Sequence, residues 1–302
     1  MSLKLTIIGS GSAVPTIGRG VTSQYLNFNE RRFLIDCGEG TQLQLRKYKV
    51  KFQRLQAIFI SHLHGDHYLG LVGLLSSMSL LGRTKKLSIY GPSELEELLR
   101  IQFKVAAIHF NFELEFIHLE KDVDAIVFED KIISVRAFPV KHRIACWGFR
   151  FDEKKKEKNV NPSKIEEHSL NLEEILAVKR GQDVVREASY LRNEELTLAD
   201  AKLVSYAFSS DTTYFSKMAE YVSGVDLLYH EATFLEKHAD RARATKHSTA
   251  LQAAQVAKDG GVGKLILGHF SARYKDGQEI EDEAKTIFMN TQAVNDGDEF
   301  NL

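Results

Sequence analysis

Residues 58–71 read IFISHLHGDHYLGL, an apolar run that breaks into His62, His64, Asp66 and His67 within six positions. The leading IFIS is short, β-branched and aromatic, which marks a buried strand, and the polar cluster starts where that strand ends. In extended backbone His62 and His64 point the same way, because side chains repeat every second residue. Gly65 lacks a side chain and lets the chain turn, so Asp66 and His67 follow within one compact loop. Imidazole and carboxylate are the ligand types of zinc and similar divalent ions where thiolates are absent. A lone histidine beside a strand is commonly just a satisfied structural residue. Four ligand types at this spacing are not accounted for in that way, and the spacing differs from the i, i+4 pair of an H-E-x-x-H helix. A loop-built site facing two adjacent metal positions is the expectation.

Two metals need more than four protein ligands, and three further candidates also follow apolar strands. His142 follows SVRAFPVK, Asp211 follows VSYAFSS and His269 follows KLILG, where loops present side chains into a site. Taken singly, His142 and His269 read equally well as structural histidines, and Asp211 as the N-cap of a helix over TTYFSKMAEYV. Taken with the cluster they complete a set of seven, in which Asp211 can bridge because a carboxylate has two oxygens. His109, His118, His168 and His238 have no strand-end context and read as surface or structural residues.

The wider composition narrows the class. With 302 residues, 43% hydrophobic and 27% charged, the chain suits one large soluble domain or two modest ones. Its net charge of -1 gives no global footprint for a polyanion, so a nucleic-acid partner would meet a local patch. Cys37 and Cys146 are the only cysteines, which excludes a disulfide framework or a C-x-x-C zinc site. The longest uncharged run, Tyr68 to Gly82, falls short of the roughly 20 residues a membrane span needs. The opening MSLKLTIIGS turns directly into a strand, without the regions of a signal peptide, and a cytoplasmic protein is expected.

Strand-like runs recur at LKLTIIG, SQYLNFN, RRFLIDCG, KLSIYG, FELEFIHL, KIISVRAFPV and CWGFRF. Helical stretches are expected at GTQLQLRKY and over HYLGLVGLLSSMSLL. At Asp152 the character changes. Residues 152–195 are highly charged and poor in strand signal, and read as an inserted, solvated arm with a helix at Leu172 to Lys179. Strand and helix then alternate again through KLVSYAFSSD, YFSKMAEYVSG, VDLLYHEA, STALQAAQVAKDG and KLILGHF. Two strand-rich halves with helices suggest an α/β domain whose helices lie outside two packed sheets.

These residues resemble the metallo-β-lactamase superfamily, and within it the ribonuclease Z family of tRNA 3′ endonucleases. The likeness runs in order through GSGSAVPT, DCGEGTQLQ, SHLHGDH, FPVKHRIACWGFR, SSDTTYF, HEAT, KHST and GHFSARY. SHLHGDH alone marks the superfamily; HEAT, KHST and HFSARY are specific to ribonuclease Z-like chains. The resemblance implies a four-layer αββα sandwich over residues 1–302, with 152–195 as a tRNA-binding exosite.

It further implies two zinc ions per subunit, one held by His62, His64 and His142, the other by Asp66, His67 and His269. Asp211 and a water would bridge them; manganese, iron or cobalt also suit such an N/O set. Asp66 would orient or deprotonate the water, and His247, positioned by Glu231, would stabilise the phosphorane-like transition state or protonate the leaving 3′ oxygen. Alternatively His247 merely neighbours the cap of STALQAAQVA, a capping task that Ser248 can perform. Ser271 and Arg273 are expected phosphate contacts. The expected activity is removal of 3′ trailers from tRNA precursors by a homodimer. The alternative is another hydrolase of the same fold, such as a small-molecule phosphodiesterase or an arylsulfatase-like enzyme.

The chain also departs from the family pattern. Its arm holds only Pro162 and Gly181 where the family's is Pro- and Gly-rich, and offers Lys154, Lys155, Lys156, Lys158, Lys179 and Arg180 to a backbone. In PTIGRG, Ile17 and Gly20 stand where the family often has lysine and asparagine, while Arg19 is retained.

Overall fold

The computed structural model describes residues 3–155, 157–187, 189–199 and 202–302; Lys156 of the arm lies outside the described residues. The alternating runs become β1 (Leu3–Gly9), β2 (Ser23–Phe28), β3 (Arg31–Ile35), β4 (Ala57–Phe59), β5 (Leu87–Gly91) and β6 (Leu114–His118). They continue as β7 (Ala125–Glu129), β8 (Ile133–Pro139) and β9 (Trp147–Glu153). The charged insertion adds β10 (Val184–Arg186) and β11 (Ser189–Leu191). The last five are β12 (Ser205–Phe208), β13 (Leu227–Glu231), β14 (Lys264–Gly268), β15 (Thr291–Ala293) and β16 (Glu299–Asn301).

Two seven-stranded sheets result, ordered β16-β1-β2-β3-β4-β5-β6 and β15-β14-β13-β12-β9-β8-β7. In the first, β1 to β3 are antiparallel and β3 to β6 run parallel. In the second, β12 to β15 run parallel and β9 joins β12 antiparallel.

The two-residue repeat of a strand explains the layering. Phe33 and Ile35 of β3 and Tyr206 and Phe208 of β12 enter one central apolar cluster between the sheets. Their neighbours face outward. Leu34 packs with Leu45, Leu74 and Leu99 of the helices Thr41–Lys47, Leu71–Leu80 and Ser93–Val105. Ala207 packs with Met218, Ala253 and Ile280 of the helices Met218–Tyr221, Ala250–Asp259 and Gln278–Lys285. Strands buried on both faces are therefore apolar throughout, and the architecture is helix, sheet, sheet, helix.

The expected helix over HYLGLVGLLSSMSLL is broken into Gly65–Tyr68 and Leu71–Leu80. At the break, Gly70 N–H donates to the Cys37 carbonyl (2.9 Å), and a Cβ on Gly70 would overlap the Gly38 carbonyl oxygen. The expected helix after Asp211 shortens to Met218–Tyr221, so Asp211 caps nothing. Thr249, not Ser248, caps the helix Ala250–Asp259, in a reciprocal box with Gln252. Ser248 is occupied instead by the Thr212 carbonyl (2.7 Å).

The chain divides into two compact units, the second made of Asp130–Ile132 and Glu153–Leu203. This second unit is more structured than its composition suggests. It has the helix Pro162–Glu167, capped by Asn161, the helix Leu172–Lys179, capped by Asn171 with Glu174, and the β10–β11 hairpin. Leu170, Val178, Val184 and Leu196 give it a small core of its own. Among the described residues, no helix is long and apolar enough to cross a membrane.

Candidate metal centre

All seven candidate ligands sit just beyond the carboxyl ends of strands, where open α/β sheets place their sites. His62 and His64 follow β4, His142 follows β8, Asp211 follows β12 and His269 follows β14, while Asp66 and His67 lie on the one-turn helix Gly65–Tyr68. Three overlapping clusters emerge among the described residues. His62, His64, His142 and Asp211 form the first, Asp66, His67 and His269 the second, and Asp211, His247 and His269 a third, each with donor atoms that all lie within 4.8 Å of one another. In the first, His64 Nδ1 lies 3.0 Å from His62 Nε2 and 3.1 Å from His142 Nε2. Asp211 Oδ2 lies 3.7 Å from His62 Nε2 and 3.5 Å from His67 Nε2, so this carboxylate stands between the clusters. Its Oδ1 is 3.3 Å from His269 Nε2, which is also 3.3 Å from Asp66 Oδ2.

The far side of each ring shows why these atoms suit a cation. His62 Nδ1–H donates to Ser61 Oγ (3.0 Å), and that hydroxyl donates to Asp36 (2.8 Å). His67 Nδ1–H donates to Asp36 Oδ2 (2.7 Å), His142 Nδ1–H to the Lys246 carbonyl (2.9 Å) and His269 Nδ1–H to Thr233 Oγ1 (2.9 Å). Each bond fixes the tautomer that leaves an Nε2 lone pair facing the centre, as metal-ligating histidines require. His67 Nε2 is buried and has no hydrogen-bond partner. A buried, unsatisfied nitrogen ringed by carboxylates fits a divalent ion.

The electrostatics point the same way. Burial and neighbouring imidazoles hold His62 well below its ordinary pKa and bring His64 down to about 4. Burial likewise lowers His142. Such rings are neutral at pH 7, the form that binds a metal. Burial opposes a charge on His67, yet Asp211, Asp36 and Asp66 outweigh it and hold the ring well above its ordinary value. Burial also works against the Asp66 and Asp211 charges, and the imidazoles of His67 and His269 overcome it, keeping both carboxyls below the usual range. The pocket thus favours positive charge beside His67.

Close by, Glu231 is fully enclosed and accepts from the backbone N–H groups of Thr212 (3.2 Å), Thr233 (3.0 Å) and Ser248 (3.0 Å). It also accepts from Thr233 Oγ1 (2.8 Å) and His247 Nδ1 (3.0 Å). Burial opposes the charge on His247, but Glu231 raises it to about 9. With Nδ1 taken, Nε2 is the atom His247 can offer to the adjoining cleft. That cleft, of about 320 Å³, is lined by His64, Asp66, Asp211, His247 and His269, with Glu39 and Arg143.

The remaining expected contacts lie elsewhere. Ser271 lines a neighbouring cavity of about 430 Å³, together with Ser12, Arg19 and Phe270. Arg273 donates to Ser271 Oγ (3.1 Å) and stacks over the Phe234 ring at 5.0 Å. Lys179 and Arg180 are exposed at the end of the helix Leu172–Lys179, within the second unit.

Several participants had no assigned role in the sequence reading: Asp36, Ser61, Thr233, the Lys246 carbonyl and the Ala13 N–H, which donates to Asp66 Oδ2 (2.7 Å). Ala13, Asp36, Ser210, Lys246 and His269 all adopt positive φ. Such backbone is uncommon outside glycine and gathers where a site demands it.

Comparison with known proteins supplies the remaining findings. Residues 3–142 match the family model described as Anti-Pycsar protein Apyc1, which is less than half of the chain. Ribonuclease Z of Cytophaga hutchinsonii is 44% identical over 302 residues, covering 99% of this chain and 96% of its own. The crystal structure of human tRNase Z, short form, aligns over 99% of this chain and 98% of its own, with TM-score 0.71 and 25% identity. The metallo-β-lactamase fold protein YhfI of Bacillus subtilis aligns over 99% of both chains, with TM-score 0.70 and 19% identity, a likeness of fold alone.

Proposed function

The chain belongs to the ribonuclease Z family, and we propose that it removes 3′ trailers from tRNA precursors with two divalent ions at the site just described. It is a metal-dependent endoribonuclease of the metallo-β-lactamase fold. The observation that carries the fuller reading is the pair of clusters with Asp211 reaching from the first to His67 and His269 of the second, and the proton-bearing His247 beside them. His62, His64 and His142 would hold one ion and Asp66, His67 and His269 the other, with Asp211 between them. Zinc suits the set best, and manganese, iron and cobalt suit it next. When bound, such ions supply Lewis acidity toward the phosphodiester and acidify an attacking water.

The chain's own groups do the rest. Asp66 Oδ2, held by the Ala13 N–H, orients the water or accepts its proton. Glu231 keeps His247 Nδ1–H in place, and His247 Nε2–H protonates the leaving 3′ oxygen of the tRNA. The exposed cations of the second unit, Lys179 and Arg180 among them, engage the tRNA backbone, and Ser271 adds a contact from the neighbouring cavity, with Arg273 holding its hydroxyl. The family resemblance supports a homodimer working in the cytoplasm, where the arm of one copy serves the other's site.

The test is cleavage of a 3′-extended tRNA precursor, with products mapped to the nucleotide. Wild type is expected to cut beside the discriminator base in a metal-dependent way. His64→Ala and Asp211→Ala are each expected to lose at least about a hundredfold in rate. Absence of metal-dependent cleavage by wild type sinks the reading. Turnover of bis(p-nitrophenyl) phosphate without precursor cleavage would assign the chain to small phosphodiesters instead.

A further inference from the structure

We propose that Arg143 grips the phosphate next to the scissile one, and so sets the register of the RNA strand in the cleft. The inference rests on the ribonuclease reading above. Among the described residues that line the cleft, Arg143 is the only lysine or arginine, and it shares that lining with the carboxylates Glu39, Asp66 and Asp211. A strand carries a negative charge at every phosphate. The scissile phosphate would lie against the bound ions, whereas its neighbour would meet those carboxylates unless a cation intervenes.

Arg143 is placed for that task. It is exposed, and among the described residues its guanidinium has no hydrogen-bond or ion-pair partner. Its backbone, by contrast, is pinned. Val140 N–H donates to the Cys146 carbonyl (3.0 Å), which closes the loop from Lys141 to Ala145. Lys141 N–H donates to Thr212 Oγ1 (3.1 Å), and Thr213 N–H donates to the Lys141 carbonyl (2.9 Å). The preceding side chain, His142, is anchored on the Lys246 carbonyl. Consecutive side chains of this loop thus divide their work, His142 toward the ion site and Arg143 toward the cleft. The planar guanidinium matches phosphate geometry with paired donors. Arg273, the arginine expected here from the sequence, stacks on Phe234 and does not line this cleft.

The test compares wild type, Arg143→Ala and Arg143→Lys on a 3′-extended tRNA precursor and on bis(p-nitrophenyl) phosphate, which has no flanking phosphate. Arg143→Ala is expected to raise KM for the precursor about tenfold, and to lower the salt slope of binding by about 0.7, one single-strand phosphate's worth. Its loss in kcat/KM on the precursor should exceed that on the small ester at least about fivefold. Arg143→Lys should keep the salt slope and recover part of the loss. Equal losses on both substrates, or no loss on the precursor, overturn the assignment. If wild type leaves the precursor intact, the ribonuclease reading fails by itself. Inhibition of small-ester turnover by a single-stranded trinucleotide then decides Arg143: a Ki about tenfold higher in Arg143→Ala upholds the contact, and an equal Ki removes it.

Discussion

His247 and Glu231 set the expected pH behaviour of catalysis. Because His247 is raised to about 9, its proton is present throughout the neutral range and leaves as pH climbs through that value. Cleavage that needs this proton should hold through neutral pH and fall near 9. Glu231→Gln should move the fall toward neutral, and a pH–rate profile of both proteins checks it. His247→Ala should lower kcat by about 10²- to 10⁴-fold, the usual worth of a positioned acid, with KM little affected. Asp36 yields a separate expectation. Its carboxylate holds His67 Nδ1–H and the Ser61 hydroxyl, so Asp36→Asn should weaken metal affinity about 10- to 100-fold, measured by competition with a chelator. At this scale, the meeting of the seven candidate ligands was legible, because four crowd the single loop and one-turn helix after β4 and three more are polar residues closely following apolar strands. Asp36 follows β3 in the same manner, but a single carboxylate there does not announce that it will support a ring rather than an ion. The Ala13 N–H was out of reach, since backbone donors have no residue type of their own.

Elements carry the next lesson, and Gly38 shows it. The DCGEG turn lies directly under the helix Gly65–Tyr68: Cys37 N–H donates to the His67 carbonyl (2.8 Å), and a Cβ on Gly38 would overlap the Asp66 carbonyl oxygen. Gly38→Ala should therefore push that helix off its seat. A cost of about 1–3 kcal/mol is expected from such overpacking, read as a lower Tm, with an activity loss larger than the fraction unfolded explains. Strands such as β1, β5, β13 and β14 were legible because short, largely apolar runs are bounded by turn residues. Helices were less so. Ser93–Val105 buries Leu95, Leu99 and Phe103 at helical spacing, yet its charged outer positions lower the apolar density that flagged other segments. In HYLGLVGLLSSMSLL that density was high enough to hide the break at Gly70, whose cause is contact with a turn distant in sequence.

For the whole molecule, the register of two strands matters most. Asp152 of β9 pairs with Ser205 of β12, so the chain leaves and rejoins the second sheet at adjacent positions of antiparallel strands. Replacing residues 155–202 by a two-residue Asn-Gly turn should leave the sandwich folded, with cooperative thermal unfolding and retained turnover of bis(p-nitrophenyl) phosphate. Cleavage of a tRNA precursor should collapse, and equal activity on both substrates would show that the arm does not engage RNA. The shift of charge at Asp152 lies one residue before the second unit resumes at Glu153, whereas the expected end at 195 falls short of Leu203. Of the internal order of this segment the helix Leu172–Lys179 was legible and the rest was not, because four apolar positions scattered among glutamates and lysines look like a solvated stretch until the chain closes them into a core. The Asp152–Ser205 doorway has a historical meaning as well. An insertion there leaves the β9–β12 pairing in register, so recognition and chemistry can diverge at different tempos. A lineage could trade one arm for another as a cassette while inheriting the hydrolytic machinery intact.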